Sequence, residues 1–433
     1  MKRDVDGLSV NRIRSHGRLT AEGTGTLIVL AMLVHWGGGS NSGPALWLGV
    51  AATFAALVSM VWLVWWLFVC EIDREPPHHA LPGREVVSAL VAVAGLMFTS
   101  GLLWDEVWHR RLGGFGEDFW WAPHLLIYGS MGIMSAISGR ALWVAAGDRA
   151  GLRAAIRRDK SMGVVAVISG YMILTSPIDE LWHRIYGVDI TAWSLPHITL
   201  LLGLLLVLGA AIPQLRSRIV RESAFVDLGR WQEWVAAMLG GVIVGTALQV
   251  GTAEWDSVDL SSPIPTSGPL AIFLARPQWL LPVVIAVTVL FAGGFLLGVS
   301  RRIGLPTLAG AFALAMRLVI IGMFDGREAG MTVTSQLFAL VGLIVVDLVR
   351  LRSDGSWRFI DGLWSCAAFL VILIPALANL VPYPVMDGAT AVRAAVIALV
   401  VAPAASLLGW DLGSWFRRLE SSQSVQLTCT NAG

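Results

Sequence analysis

The chain has 433 residues, of which 56% are hydrophobic and 14% charged, with a formal net charge of +1 and a mean hydropathy of +0.70. An ordinary soluble domain carries about 25% charged residues, so the composition excludes one and predicts an all-α, polytopic helical membrane protein. The near-neutral balance provides neither a basic surface for nucleic acid nor an acidic solvating tail, and three scattered cysteines, Cys70, Cys366 and Cys429, provide neither a disulfide framework nor a thiolate zinc site.

In chain order, residues 1–22 form a basic arm with Lys2, Arg3, Arg12, Arg14, His16 and Arg18. No apolar stretch there closes on a small-residue cleavage site, so the arm reads as cytoplasmic rather than as a cleaved leader. Residues 23–85 hold two spans, at 23–37 and 45–70, separated by a Gly-Ser turn, then a cytoplasmic loop in which His78 and His79 sit among prolines as solvated residues. Residues 86–214 carry four spans, at 86–104, 124–146, 162–178 and 197–214. Residues 215–411 carry six more, at 233–251, 277–299, 303–323, 331–349, 359–381 and 390–411, and residues 412–433 form a cytoplasmic tail. The expected total is about 12 transmembrane helices of about 17 to 25 residues each. Arginine and lysine gather in alternate loops, which puts both termini in the cytoplasm of a bacterial-type inner or plasma membrane. The opposite loops are poor in basic residues. One of them, with Glu254, Asp256 and Asp259, reads as solvated. His35 reads as an isolated polar contact near the end of the first span, and Arg317 lies inside an apolar span, where Asp325 or Glu328 could supply a counter-charge.

One pattern occurs twice, about 74 residues apart. The first copy reads Asp105, Glu106, Trp108, His109, Arg110, then Pro123-His124; the second reads Asp179, Glu180, Trp182, His183, Arg184, then Pro196-His197. Thr99-Ser100 and Thr175-Ser176 precede the acids in both, extending the likeness into the helices. This predicts a duplicated helical-hairpin module, with both copies at the extracytoplasmic end of the membrane and related by a pseudo-twofold axis along its normal. On a helix, Asp105 and Glu106 lie four and three residues before His109, so either carboxylate can share a face with the imidazole. Pro123 and Pro196 suit the first turn of the returning helix and would start His124 and His197 down it. A helix N-terminus and a nearby arginine disfavour imidazolium, leaving the neutral ring that a metal needs. Two imidazoles and a carboxylate with open positions suit copper or non-haem iron, and zinc less well. The alternative is that tryptophan, histidine and arginine here anchor the interface, with Asp105 and Asp179 paired to Arg110 and Arg184.

At these residues the sequence resembles the C subunit of the particulate methane and ammonia monooxygenases. That family combines Asp-x-x-Trp-His, a loop of about a dozen residues, and a histidine next to proline, followed by an aromatic-rich helix. Its aspartate and two histidines bind a metal in the membrane. The resemblance implies metal ligation by Asp105, His109 and His124 and by Asp179, His183 and His197, and it covers roughly residues 95–135 and 165–205. This chain departs from that pattern in a slightly longer interval between histidines, in the doubling of the motif and in a larger number of spans. It carries no fused cupredoxin-type domain, so oxygenase chemistry would call on partner subunits or another electron donor.

The expected function is that of a monooxygenase-like membrane metalloenzyme, an oxygen-dependent oxidoreductase using copper or iron on a small lipophilic substrate that enters from the lipid bilayer. Glu106 and Glu180 are the candidate proton relays or hydrogen-bond partners of the ligands. Two other functions remain as alternatives: a metal transporter or metal-loading protein, and a structural membrane subunit without catalysis. Transport would need polar groups continuing through the later spans, which offer few besides Arg317 and Asp347.

Overall fold

A computed structural model describes residues 84–111, 122–146, 156, 160–186, 195–215, 224–256, 277–324, 331–353, 356–380 and 386–430; within these, the side chains of 84, 106–111, 141, 143–146, 174, 176, 180–186, 195, 253–254, 256, 320–321, 323–324, 331–332, 379–380 and 420–430 lie outside the description. The described residues form ten α-helices. They are α1 (Arg84–Arg111), α2 (Ala122–Ala146), α3 (Lys160–Tyr186), α4 (Leu195–Ala211) and α5 (Trp231–Asp256), then α6 (Leu280–Ser300), α7 (Leu305–Phe324), α8 (Met331–Arg350), α9 (Phe359–Leu380) and α10 (Gly388–Thr430). A short 3₁₀ turn, Ile212–Leu215, extends α4. Among the described residues the only β-type pairing is a single bridge between Phe225 and Ile303.

Each of the ten spans expected beyond residue 85 falls on one of these helices, and eight helices are long and apolar enough to cross a membrane. The chain is therefore a helical membrane protein. The expected spans at 23–37 and 45–70, the basic arm, His16, His35, His78 and His79 lie outside the described residues.

The helices start where local chemistry favours it. Proline, whose missing N–H costs little in a first turn, is the second residue of α2, α4 and α7. Helix α6 stops at Arg301, which adopts a left-handed conformation (φ 58°) and returns its N–H to the Leu297 carbonyl at 2.8 Å. Three residues later Gly304, at φ 94°, turns the chain into α7. Asp347 of α8 then accepts the N–H groups of Gly304 (2.9 Å) and Thr307 (3.0 Å) and the Thr307 hydroxyl (2.6 Å), closing the exposed N-terminus of α7 from a neighbouring helix. Asp347, one of the few polar residues that a transport path could have used, is thus committed to capping. Asp347→Ala is expected to lower stability by about 1–2 kcal/mol. Thermal unfolding in mild detergent checks this, with Asp347→Asn retaining part of the loss. At the start of α10, Asp387 accepts the Thr390 N–H at 2.7 Å. The Thr390 side chain and N–H together hold the Asp387 carboxyl below its ordinary range.

In packing, α1 lies against α2 and α5, α2 against α3, and α3 against α4, and α4 returns to α1 and α5. Helix α5 also packs on α6, α7 and α8, while α10 is laid along α6 and touches α9. Helix α5 therefore joins the four motif-bearing helices to the rest. Lipid tails are as apolar as leucine, so what holds such helices together is close packing and hydrogen bonding rather than burial from water. The outward faces match this environment. Val392, Val396 and Val400 form an i, i+4 row on α10, and Val371 on α9 is 75% exposed.

Candidate functional site: two aspartate–histidine pairs

The two motif hairpins are α1–α2 and α3–α4. In the first, Gly101 of α1 lets the second helix come close: a β-carbon there would lie 2.9 Å from both the Pro123 carbonyl and the Ile127 side chain. This approach brings His124, in the first turn of α2, to Asp105 near the end of α1. The His124 Nε2 and Asp105 Oδ1 atoms are 3.3 Å apart, both side chains being largely buried. Tyr128, one turn along α2, lays its ring beside the imidazole with centroids 5.8 Å apart.

In the second hairpin, Asp179 Oδ1 of α3 and His197 Nε2 of α4 are 4.0 Å apart. Here Thr175-Ser176 is followed by Pro177 where the first copy has Gly101 after Thr99-Ser100. Pro177 lies inside α3 two residues before Asp179 and deprives the Ile173 carbonyl of its helical donor. The shared threonines also differ. Thr99 meets Thr246 of α5 through their hydroxyls at 2.9 Å, whereas Thr175 donates back to the Tyr171 carbonyl of its own helix at 3.3 Å. The second pair is wider and lacks the tyrosine, since Leu201 stands where the first copy has Tyr128.

Of the eight candidate site residues, the structure brings Asp105 to His124 and Asp179 to His197. Glu106, His109, Glu180 and His183 stand on the described backbone of α1 and α3, but their side chains lie outside the described residues, as do those of Arg110 and Arg184. Among the described residues no three of histidine, cysteine, aspartate and glutamate converge into a metal-binding group. A metal held at about 2.0–2.2 Å by a carboxylate oxygen and an imidazole nitrogen, at tetrahedral angles, spaces the two donors about 3.3 Å apart. The first pair has that spacing at 3.3 Å; the second, at 4.0 Å, is too wide by about 0.7 Å and needs a side-chain adjustment of that size.

Sequence reasoning missed two buried glutamines that bridge helices. Gln249 of α5 reaches the Leu102 carbonyl of α1 at 3.5 Å, and Gln336 of α8 donates to the Gly245 carbonyl of α5 at 3.2 Å. Arg317, on α7, is buried; its expected partners Asp325 and Glu328 lie outside the described residues. The signal that could have found the α5 groups was the row Thr246, Gln249, Thr252, polar at helical spacing inside an apolar span.

The fold defines a polytopic helical membrane protein with an aspartate and a histidine facing each other in each of two hairpins. No protein-family model, curated protein or solved structure matches the chain.

Proposed function

We propose that the protein is a membrane metalloprotein that holds copper or iron in its two hairpins, through Asp105, His109 and His124 and through Asp179, His183 and His197. The observation that carries this reading is the recurrence of one contact: in both hairpins the aspartate near the end of the first helix faces the histidine that follows proline in the second. Carboxylates and imidazoles at membrane depth are costly unless they pair or bind, and a repeated donor pair with a third donor in the motif answers that cost with a metal. The two hairpins form a duplicated module, and the chain crosses the membrane about 12 times with both termini in the cytoplasm.

The activity that fits is oxygen-dependent oxidation of a small lipophilic substrate delivered from the bilayer. Bound copper or iron would supply dioxygen binding and redox chemistry, with electrons from a partner subunit or other donor. The chain's own residues would do the rest. Glu106 and Glu180, next to the ligand aspartates, hold and pass protons. Tyr128 confines the His124 ring, and the tryptophans of the motifs keep water from the site.

Elemental mass spectrometry of purified protein tests the reading. Copper or iron near one or two ions per chain is expected in wild type and is expected to be lost in His109→Ala/His183→Ala. If wild type stays metal-free after reconstitution with copper, iron and zinc, the aspartate–histidine pairs are structural contacts and the metalloenzyme reading fails.

A further inference from the structure

Helices α1 and α5 run parallel, joined by contacts at one constant offset. Gln232 Nε2 donates to Glu85 Oε2 at 3.1 Å, the Thr99 and Thr246 hydroxyls meet at 2.9 Å, and Gln249 Nε2 reaches the Leu102 carbonyl at 3.5 Å, each between residues 147 positions apart. A β-carbon on Gly95 would touch Val242, which keeps the same offset. The register therefore holds from residue 85 to residue 102, about 25 Å at about 1.5 Å per residue. Asp105 lies three residues beyond Leu102 and six beyond Thr99, so less than two turns of helix separate the last two contacts from the first aspartate–histidine pair.

Apolar helix faces slide and turn against one another at small cost, whereas a hydroxyl or amide buried in hydrocarbon is satisfied at one height only. A slip of α1 by one residue against α5 would move Asp105 by about 1.5 Å and turn it by about 100° around the helix axis. That is far outside the roughly 0.5 Å within which a set of ligands must be held. Among the described residues the second hairpin has no such brace: α3, which carries Asp179, packs on α2, α4 and α10 but not along α5. Thr175, the counterpart of Thr99, turns back to Tyr171 of its own helix, and Pro177 interrupts the backbone hydrogen bonding just before Asp179. The two pairs differ accordingly, at 3.3 Å where α5 braces the aspartate-bearing helix and at 4.0 Å where it does not.

We propose that α5 preorganises the first site, with Thr246 and Gln249 as positioning residues that hold α1 at the height and rotation at which Asp105 meets His124, and that the first hairpin therefore takes up copper or iron before the second. This rests on the metal-binding reading of the two pairs. Thr246 acts through the Thr99 side chain and Gln249 through the Leu102 carbonyl, so neither needs to touch the ion. A donor pair already at metal spacing loses no affinity to rearrangement, whereas Asp179 and His197 must first approach each other. The duplicated hairpins thus become one tight site and one weaker site within a single chain.

The test uses the full chain in two parents, one keeping only the first site (Asp179→Ala/His197→Ala) and one keeping only the second (Asp105→Ala/His124→Ala). Each is loaded with Cu(II) and read by chelator competition and electron paramagnetic resonance. Thr246→Val/Gln249→Met removes the polar contacts while keeping side-chain volume. In the first-site parent it is expected to weaken copper binding about 3–15-fold, the range that interhelical hydrogen bonds in membranes span, and to change the copper hyperfine splitting. In the second-site parent it leaves affinity and spectrum unchanged. Thr246→Ser, which keeps the hydroxyl, stays at the parent affinity, and Thr246→Val alone gives a smaller loss and serves where the double variant does not fold. An unchanged first-site affinity, equal losses in both parents, or tighter binding by the second-site parent would overturn the proposal while leaving the metal reading intact. If neither parent binds copper or iron, the metal reading fails first, and the positioning is still read without metal. Asp105→Cys/His124→Cys, in protein without its three native cysteines, should be joined by a short bis-thiol crosslinker more slowly once Thr246→Val/Gln249→Met is added. An unchanged crosslinking rate in folded protein removes the positioning role.

Discussion

Gly298→Leu is expected to leave no folded protein in mild detergent, while Gly129→Ala on α2 is expected to raise the melting temperature slightly. The difference comes from the seam between α6 and α10. A β-carbon on Gly294 would run into the Ser406 carbonyl and one on Gly298 into the Trp410 carbonyl; from the other side, Gly409 faces the Phe291 carbonyl and Gly413 the Phe295 carbonyl. These are backbone atoms in hydrogen-bonded helices, so they cannot swing aside as a side chain would. The four-residue spacing on both helices puts the glycines on facing stripes, the small-residue arrangement that lets membrane helices approach closely enough for dispersion to hold them. Gly298→Ala alone should cost about 1–3 kcal/mol, and the leucine variant more than a membrane fold can absorb. Gly129 has nothing within 4 Å of its would-be β-carbon. Alanine there should therefore gain about 0.5–1 kcal/mol of helix stability. Fluorescence-detected size exclusion across a temperature series reads both outcomes.

Glu233→Ala is expected to be the other severe loss. Glu233, in the first turn of α5, forms an ion pair with Arg302 in the short link between α6 and α7, and both side chains are largely buried. Ser300 and Gln232 line the cavity of about 30 Å³ beside them. Removing one member of such a pair strands the other charge in a poorly solvated place, a cost of about 3–5 kcal/mol. Removing both, as Glu233→Gln/Arg302→Met, should recover most of it, because two charges then need not be desolvated. A double variant no more stable than Glu233→Ala would mean that the pair is not where the energy lies. Thermal melts of the three proteins side by side decide this.

What the sequence made legible was the component that lipid dictates. Apolar runs of membrane length located all ten described helices, because in hydrocarbon the backbone must satisfy itself within the segment. The pairing of Asp105 with His124 and of Asp179 with His197 was also readable, since proline in a first turn fixes where each returning helix begins. Contacts between helices distant in sequence were not. The glycines at 294, 298, 409 and 413 were visible as letters, yet a four-residue spacing becomes a seam only when a partner stripe is known to face it. Asp347 looked like a polar residue in search of a path, because its partners, Gly304 and Thr307, lie some forty residues away on another helix. The α1–α5 register escaped for the same reason: threonine and glutamine in a span are ordinary until their opposite numbers are seen.

The α6–α10 seam also constrains how the protein is made. Its facing glycines and carbonyls lie more than a hundred residues apart, with α7, α8 and α9 between them. Until α10 has entered the bilayer, the small-residue stripe on α6 remains an open groove filled by lipid tails, and docking must expel them. The longest-range contact among these helices is thus also among the last to close, and it joins the element around which the second half of the chain is gathered. Chains stalled before that step would present a partly assembled bundle to membrane proteases, so defects along the seam should appear in cells as rapid turnover of newly made protein.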